Sequence, residues 1–311
     1  MQIILLGTGP FAVPSLRAIQ ASQHEILCAI SRPPRGRRAP DSPVTIAASE
    51  VGIETWTPNT VNCDASREKL SAMQADLLLV CDYGEILKSD TLAVTRLGGI
   101  NLHGSLLPKY RGAAPVQWAV WNGDVETGNT IIQMTPGLDA GPCLGIQRIS
   151  ISGDETAGEL EARMAELGAE LVTQVVDQLE EGIANPVMQD KSQVTKAPRL
   201  SKEHGQIDWK RPAQEIKNQI RALQPWPRAF TNWQRSEGEP VRLIIHRALV
   251  KDAHFSTETL PGTVISVESQ FLVATGQGAL CLLQVQPAGK RAMSAEEFLR
   301  GNSIRVGQKL V

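Results

Sequence analysis

Residues 98–115 read GGINLHGSLLPKYRGAAP, and this stretch guides the interpretation of the whole chain. Residues 99–103 predict a strand, which ends at Gly104 in a loop punctuated by glycine and proline. Side chains alternate between the faces of a strand, so Asn101 and His103 share one face and apolar side chains share the other. An amide and an imidazole at a strand end indicate a site, because α/β sheets place ligands there. The alternative is that His103 is a partly buried histidine whose ring nitrogens are hydrogen-bonded within the protein, and that Asn101 only caps a turn.

These two side chains suit a reaction in which negative charge develops on an oxygen atom. An amide can donate a hydrogen bond to such an oxyanion, and an imidazole can carry a proton near neutral pH. Residues 129–135 predict another strand, which is followed by a glycine-flanked turn that contains Asp139. There the carboxylate would orient His103 and favour its charged form. Alternatively, Asp139 only makes the local bond of an Asx-turn.

The first part of the chain predicts a parallel α/β sheet. Residues 2–6 form an apolar first strand, and residues 76–80 (DLLLV) have the near-continuous apolar run of a strand buried on both faces. GTGPFA at residues 7–12 matches the pattern G-x-G-x-x-A, which makes a nicotinamide-dependent oxidoreductase the alternative. That alternative needs an acidic residue after the strand at 25–30, where Ser31 stands instead. We therefore expect a Rossmann-like, doubly wound, mostly parallel sheet.

Length and composition are those of an ordinary soluble protein with two domains. The chain has 311 residues, of which 42% are hydrophobic and 21% charged, and its mean hydropathy is −0.14. Its five cysteines are dispersed and its five histidines lack metal-ligand spacing, so neither a disulfide framework nor a zinc site is expected. The opening MQIILLG is too short for a secretory signal or a membrane span. We therefore expect a cytoplasmic protein with no metal and no membrane partner.

Charge is distributed unevenly along the chain. The total of −2 divides into −9 over residues 1–184, +2 over residues 185–203 and +5 over residues 204–311. A basic C-terminal part suggests nucleic acid as a partner, although so modest an excess can also be a solvated surface. RPPRGRR at residues 32–38 cannot pack in a core, so it is either a flexible loop suited to phosphate contacts or simply solvated.

Helix and strand patterns divide the chain into two domains. Residues 155–181 keep the apolar spacing of one long helix. Residues 185–203 are polar, contain proline and lack periodicity, which is typical of a linker. Residues 204–311 combine a helical pattern at 213–223 with five short strand patterns, as in an OB-like β-barrel. We expect a catalytic domain at residues 1–184, followed by the linker and the barrel.

Four motifs resemble one family. NLHGSLLPKYRGAAP (101–115) and GLDAG (137–141) resemble the folate-dependent formyltransferases, and QPWP (224–227) and QPAGKRAMS (286–294) resemble the methionyl-tRNA formyltransferase family within them. The resemblance implies a Rossmann-like catalytic domain and an OB-like tRNA-binding domain. It also implies 10-formyltetrahydrofolate as the formyl donor and initiator methionyl-tRNA as the acceptor. We further expect a monomer.

The resemblance assigns roles to individual residues. Asn101 and His103 would stabilise the oxyanion, and Asp139 would assist proton transfer. Ser105, Leu106, Leu107, Pro108, Ile86 and Leu87 would form the folate-binding group, and Arg32, Arg35, Arg37 and Arg38 the tRNA-binding group. The chain departs from the family pattern at Asp82 and Lys88, which flank the predicted folate-binding residues Ile86 and Leu87. It also departs from that pattern in the turn GTGPF, and its arginine-rich loop is shorter than in some members of the family.

Three alternatives stay open. The formyl group could go to another amine, such as an amino-sugar nucleotide or glycinamide ribotide, although the basic C-terminal part and the tail motifs disfavour this. The chain could bind tRNA without catalysis, which the complete set of Asn101, His103 and Asp139 disfavours. Hydrolysis of the formyl group could accompany transfer as a side reaction.

Overall fold

A seven-stranded sheet organises the first of two units in this computed structural model, which describes residues 1–34, 36, 39–235, 238–252 and 258–311. The first unit consists of Met1–Val116, Glu126–Ile151 and Glu159–Pro198, and the second of Gln117–Val125, Ser152–Gly158 and Arg199–Val311. Each unit therefore takes residues from several stretches of the chain.

The first unit contains a mostly parallel sheet. Its strands are β1 (Gln2–Gly7), β2 (Glu25–Ile30), β3 (Thr55–Trp56), β4 (Leu77–Cys81), β5 (Gly99–His103), β6 (Arg111–Gly112), β7 (Glu126–Gln133), β8 (Cys143–Ser150) and β9 (Lys196–Ala197). The sheet order is β3-β2-β1-β4-β5-β7-β8, with β7 and β8 antiparallel and the others parallel, while β6 and β9 form a separate two-stranded sheet. The strand order reverses between β1 and β4, and ligands bind at such switch points. The Rossmann-like prediction is confirmed.

Eight helices occur in the described part of the chain, and α6 matters most for the site. They are α1 (Val13–Gln20), α2 (Pro43–Glu50), α3 (Asp64–Ala72), α4 (Ser89–Leu92), α5 (Pro115–Asn122), α6 (Ala157–Glu181), α7 (Ala213–Ala222) and α8 (Ala295–Gly301). A Cβ atom at Gly168 of α6 would lie 2.9 Å from a methyl group of Leu102, so glycine permits this close contact with β5. Ile100 and Leu102 are buried on that face, which leaves Asn101 and His103 on the opposite face.

The second unit contains an antiparallel sheet that curls into a small barrel. Its strands are β10 (Phe230–Trp233), β11 (Val241–Lys251), β12 (Val264–Ser266), β13 (Phe271–Ala274), β14 (Ala279–Pro287) and β15 (Met293–Ser294). The order is β10-β11-β14-β13-β12, and β15 adds to β14. Residues 308–311 hydrogen-bond both to Asn232 of the first edge strand and to Val264 of the last. This short segment joins the two edges and completes the OB-like barrel that the sequence predicts.

Some boundaries differ from the predicted ones for identifiable reasons. The strand predicted at 129–135 runs instead from Glu126 to Gln133, because residues 126–129 also pair with β8 and the chain beyond Gln133 leads into the turn around Asp139. Among the described residues, no helix combines the length and apolar character needed to cross a bilayer.

Candidate active site

His103 lies at the end of β5, and only 6% of its side chain is exposed. Its Nε2 atom is 3.0 Å from the backbone carbonyl oxygen of Tyr110. Because a carbonyl oxygen only accepts hydrogen bonds, Nε2 carries the hydrogen in this contact. The other ring nitrogen, Nδ1, is therefore the atom that can exchange a proton or, when protonated, donate to a substrate.

Asp139 faces this nitrogen. Its Oδ2 atom is 3.8 Å from Nδ1 of His103 and accepts a hydrogen bond of 2.8 Å from the backbone N–H of Gly112. Asp139 has a φ of +48°, a conformation that non-glycine residues seldom adopt and that occurs preferentially at functional sites. The separation of 3.8 Å is too long for a direct hydrogen bond, so a water or a reacting atom can bridge the two groups.

Asn101 shares the strand face of His103 and is half-buried, opposite Val80 and Ile132 in the neighbouring strands. Its side-chain amide makes no hydrogen bond to any part of the chain that the structure describes. The amide N–H groups are therefore available to a ligand. The structure thus brings together the three residues that the sequence singles out at one end of β5.

Gln189 supports the turn that carries Asp139, a role that the sequence did not indicate. Its Nε2 donates to the backbone carbonyls of Asp139 and Gly141 at 2.9 and 2.7 Å, and its Oε1 accepts from Arg111 at 2.6 Å. Gln189 lies within residues 185–203, for which the composition predicts a linker. In the structure this part of the segment holds the Asp139 turn in place.

Thr195 supports the other neighbour of His103. Its hydroxyl oxygen accepts a hydrogen bond of 2.8 Å from the backbone N–H of Tyr110, next to the carbonyl that binds Nε2. The pairing of β6 with β9 continues this contact along the chain. Gln189 and Thr195 therefore hold the hydrogen-bond acceptors on the two sides of the imidazole, Asp139 and the carbonyl of Tyr110. Both residues lie more than eighty positions after His103 in the sequence.

Residues 105–108, part of the predicted folate-binding group, follow the catalytic strand. Ser105 is fully buried and donates from its hydroxyl to the carbonyl of Lys109 at 2.7 Å, so its side chain shapes the turn. Leu107 is buried in an apolar cluster. Leu106 and Pro108 are half-buried and offer the accessible apolar surface of this loop.

The other two predicted folate residues have opposite environments. Leu87 is 1% exposed and packs in the core with residues that include Leu6 and Tyr83. Ile86 is 62% exposed on the loop that follows β4, at the switch point of the sheet. Of this pair, Ile86 is therefore the side chain that a ligand can contact.

Only one of the four predicted tRNA-binding arginines lies within the described residues. Arg35, Arg37 and Arg38 lie outside them. Arg32 donates from Nη1 to a carboxylate oxygen of Glu85 at 2.6 Å, and about a third of its side chain is exposed. The charge of Arg32 is thus paired within the protein.

Two carboxyl groups at the same end of the sheet, Asp82 and Glu161, have raised pKa values. The Asp82 side chain is exposed, yet the protein atoms around its carboxyl group desolvate it in part and raise its pKa to about 6. Burial, and secondarily the charge of Asp82, raises the pKa of Glu161 to about 7. The sequence identified Asp82 only as a departure from the family pattern, and gave no signal for Glu161.

Glu161→Gln should stabilise the protein at alkaline pH and leave it unchanged in acid. The folded chain holds this proton more tightly than the unfolded chain, so wild-type stability falls as pH rises from about 4 to about 7, where the folded-state pKa lies. Above that range the ionised carboxylate of Glu161 lowers the free energy of unfolding by its full desolvation penalty. The neutral glutamine side chain carries no such penalty. Urea unfolding should show a gain of about 1–2 kcal/mol near pH 8 and almost none near pH 4.

The matched control is Glu166→Gln, which changes an exposed carboxylate on the same helix. We expect it to leave the free energy of unfolding unchanged at both pH values. Equal effects of Glu161→Gln at the two pH values would contradict the buried-carboxyl explanation.

One group of side chains in the described part has the composition of a metal site. His24, Asp177 and Glu180 place their ligand atoms within 4.8 Å of one another. The amino group of Met1 lies 2.7 Å from Glu180 and 3.0 Å from Nδ1 of His24, and Nε2 of His24 lies 3.0 Å from Asp177. These contacts already pair the group as an ion network.

A basic and aromatic surface lies on the barrel of the second unit. The guanidinium of Arg242 stacks on the ring of Phe230 at 3.5 Å, on the outward face of β10 and β11. Arg228 donates to Gln286 of β14 at 3.4 Å, and Lys290 is exposed just beyond it. Such surfaces suit nucleic acids, whose bases stack on aromatic rings and whose phosphates attract cations.

Solved structures with a similar fold include an N-formyltransferase and the protein HypX. An N-formyltransferase from Helicobacter canadensis, solved with folinic acid and dTDP-3-aminofucose, has a TM-score of 0.69 at 18% identity and covers 92% of this chain and 98% of its own. HypX from Aquifex aeolicus, solved with tetrahydrofolic acid, has a TM-score of 0.61 at 15% identity, over 96% of this chain and 47% of its own. At such identities the likeness shows the fold alone.

Sequence comparison is more specific. Residues 1–176 match the family described as formyl transferase, and residues 199–303 match the formyl transferase C-terminal domain. A methionyl-tRNA formyltransferase of Rhodopirellula baltica is 40% identical over 327 aligned residues, which cover 100% of this chain and 97% of the relative. The resemblance of the sequence motifs is confirmed, and the chain belongs to the formyl transferase family.

Proposed function

We propose that the protein transfers the formyl group of 10-formyltetrahydrofolate to the α-amino group of methionine on initiator tRNA. The observation that carries this proposal is the arrangement at the end of β5. Nδ1 of His103 and the carboxylate of Asp139 face each other across 3.8 Å, and the unbonded amide of Asn101 lies on the same strand face. Donors and a proton acceptor at one point are what formyl transfer between two nitrogens requires.

In the first step, the amine nitrogen attacks the formyl carbon and a C–N bond forms. The carbonyl electron pair moves to oxygen, which becomes an oxyanion. Asn101 and protonated His103, acting from Nδ1, donate hydrogen bonds to this oxygen. Removing one such donor typically raises the barrier by about 3–4 kcal/mol.

In the second step, the oxyanion re-forms the C=O bond as the bond between the formyl carbon and the folate nitrogen breaks, and the electron pair of the broken bond stays on the folate nitrogen. Asp139, acting through a water, takes the proton of the attacking amine and passes it to the leaving folate nitrogen. The backbone N–H of Gly112 holds the carboxylate oxygen at 2.8 Å, and Gln189 holds the turn. Leu106, Pro108 and Ile86 supply the accessible apolar surface for the folate.

The choice of tRNA as the acceptor rests on other features. The end-to-end likeness to a methionyl-tRNA formyltransferase supports it, as does the net charge of +5 over residues 204–311. Phe230 and Arg242 provide a stacking surface in that region. An amino-sugar nucleotide, the class of molecule bound by the Helicobacter canadensis enzyme, needs no such basic domain.

The test is single-turnover transfer of a labelled formyl group from 10-formyltetrahydrofolate to initiator methionyl-tRNA. We expect rapid labelling of methionyl-tRNA and none of acetylmethionyl-tRNA, whose nitrogen is blocked. dTDP-3-aminofucose serves as the competing acceptor. Labelling of the sugar nucleotide but not of methionyl-tRNA would overturn the proposed acceptor, and release of free formate alone would indicate hydrolysis.

We also propose that the protein works as a monomer in the cytoplasm, where charged tRNA and folate are both available. Sedimentation of the purified protein at the mass of one chain, 33.7 kDa, would support the monomer.

A further inference from the structure

Glu85 lies at the centre of a hydrogen-bond network after β4, and only 16% of its side chain is exposed. Its Oε2 atom accepts from Arg32 at 2.6 Å and from the backbone N–H of Val61 at 3.3 Å. Its Oε1 atom accepts from Asn62 at 2.8 Å and from the hydroxyl of Thr60. One carboxylate therefore ties together the chain after β2, the segment before α3 and the loop after β4.

Asn62 extends this network along the same loop. Its amide nitrogen donates to the carbonyl of Ile86 at 2.9 Å, and its side-chain oxygen accepts from the backbone N–H of Lys88 at 2.8 Å and from Thr91 at 2.9 Å. Hydrogen bonds thus fix the loop at Glu85, before Ile86, and at Lys88, after it. The Ile86 side chain itself is exposed at the switch point of the sheet.

We propose that Glu85 is a positioning residue for the folate-binding loop and that Arg32 serves as its counter-ion. The carboxylate holds Ile86 where the sheet binds its ligand, and the guanidinium neutralises the buried charge. Arg32 therefore contributes to folate affinity through Glu85 and does not contact tRNA. This inference rests on the folate-dependent reaction proposed above.

Charge and burial explain why the pair matters for position. Of the four groups that donate to the Glu85 carboxylate, Arg32 is the charged one, and charge-assisted hydrogen bonds are the stronger kind. Removing either partner of such a pair leaves the other charge without its counter-ion, which is unfavourable. Breaking the pair loosens the loop on which Ile86 stands. Chemistry at His103 and Asp139 is not touched, so the effect should fall on substrate binding and leave the transfer step unchanged.

The experiment measures folinic acid binding by calorimetry in the full-length protein, with no acceptor present. We expect Glu85→Gln to weaken binding about tenfold and Arg32→Gln about three- to tenfold, as for a lost charge-assisted hydrogen bond. Arg32→Lys keeps the charge and should stay within about threefold of wild type. Single-turnover rates at saturating folate should be unchanged in all three, and so should the affinity of Arg32→Gln for initiator tRNA.

The control is Asp90→Asn, which removes an exposed carboxylate from the following helix α4 and should leave folinic acid binding unchanged. If Glu85→Gln does not fold, the Arg32 pair of variants carries the test, because that side chain is partly exposed. Weaker tRNA binding with unchanged folinic acid binding in Arg32→Gln would overturn the inference, as would wild type that does not bind folinic acid. Wild type that binds folinic acid but does not formylate methionyl-tRNA would instead refute only the proposed acceptor.

Discussion

His103→Ala should slow single-turnover formylation of initiator methionyl-tRNA by about 10²–10³-fold, the loss expected for one oxyanion donor. The carbonyl of Tyr110 occupies Nε2, so the donor to the substrate is Nδ1 in the protonated ring. Alanine removes that donor and leaves the two neighbouring groups, Asn101 and Asp139, in place. The rate is measured by rapid quenching, with enzyme in excess over labelled folate.

Binding and stability separate this effect from a general loss of structure. Folinic acid affinity of His103→Ala should stay within about threefold of wild type, because a donor used only in the transition state does not contribute to ground-state binding. Asn101→Ala should behave in the same way, since its amide is the second donor. A His103→Ala enzyme that retains the wild-type rate would show that the oxyanion is stabilised elsewhere.

The sheet was predictable because its strands are encoded locally. The apolar runs before Gly7 and at residues 76–80 predict strands buried on both faces, and the structure confirms both as β1 and β4. The long helix was predictable from its period, although it begins at Ala157 and not at residue 155. By contrast, the closure of the barrel by residues 308–311 depends on hydrogen bonds to strands far away in sequence, and no local pattern marks that segment.

The candidate site shows the same limit. Asn101 and His103 share a face because of strand alternation, and that can be read from the sequence. Gln189 reaches Asp139 across 50 residues, within a segment whose polar composition suggested only a linker. The ion pair of Arg32 with Glu85 joins residues 53 positions apart, so a basic sequence could not show that this arginine is already paired. Long-range polar contacts have no period in sequence and need coordinates.

Asp139→Asn should slow the transfer step by about 10²–10³-fold, because asparagine keeps the shape of the side chain but cannot take up a proton. Its amide oxygen can still accept the hydrogen bond from Gly112, and its backbone can still bind Gln189. The turn should therefore survive, and folinic acid binding should be unchanged. Single-turnover rates across pH 6 to pH 9 are the measurement.

The double variant His103→Ala/Asp139→Asn tests whether the 3.8 Å gap between the two side chains is bridged during the reaction. When two residues act as one unit, the double variant loses little more of the reaction rate than either single variant does. When they act independently, the two losses of rate multiply. Because the proposed mechanism gives the two side chains separate roles, we expect the double variant to lose about the product of the two single losses. A double variant no more than about tenfold slower than either single variant would contradict this division of roles, because it would mean that the imidazole and the carboxylate move the amine proton together.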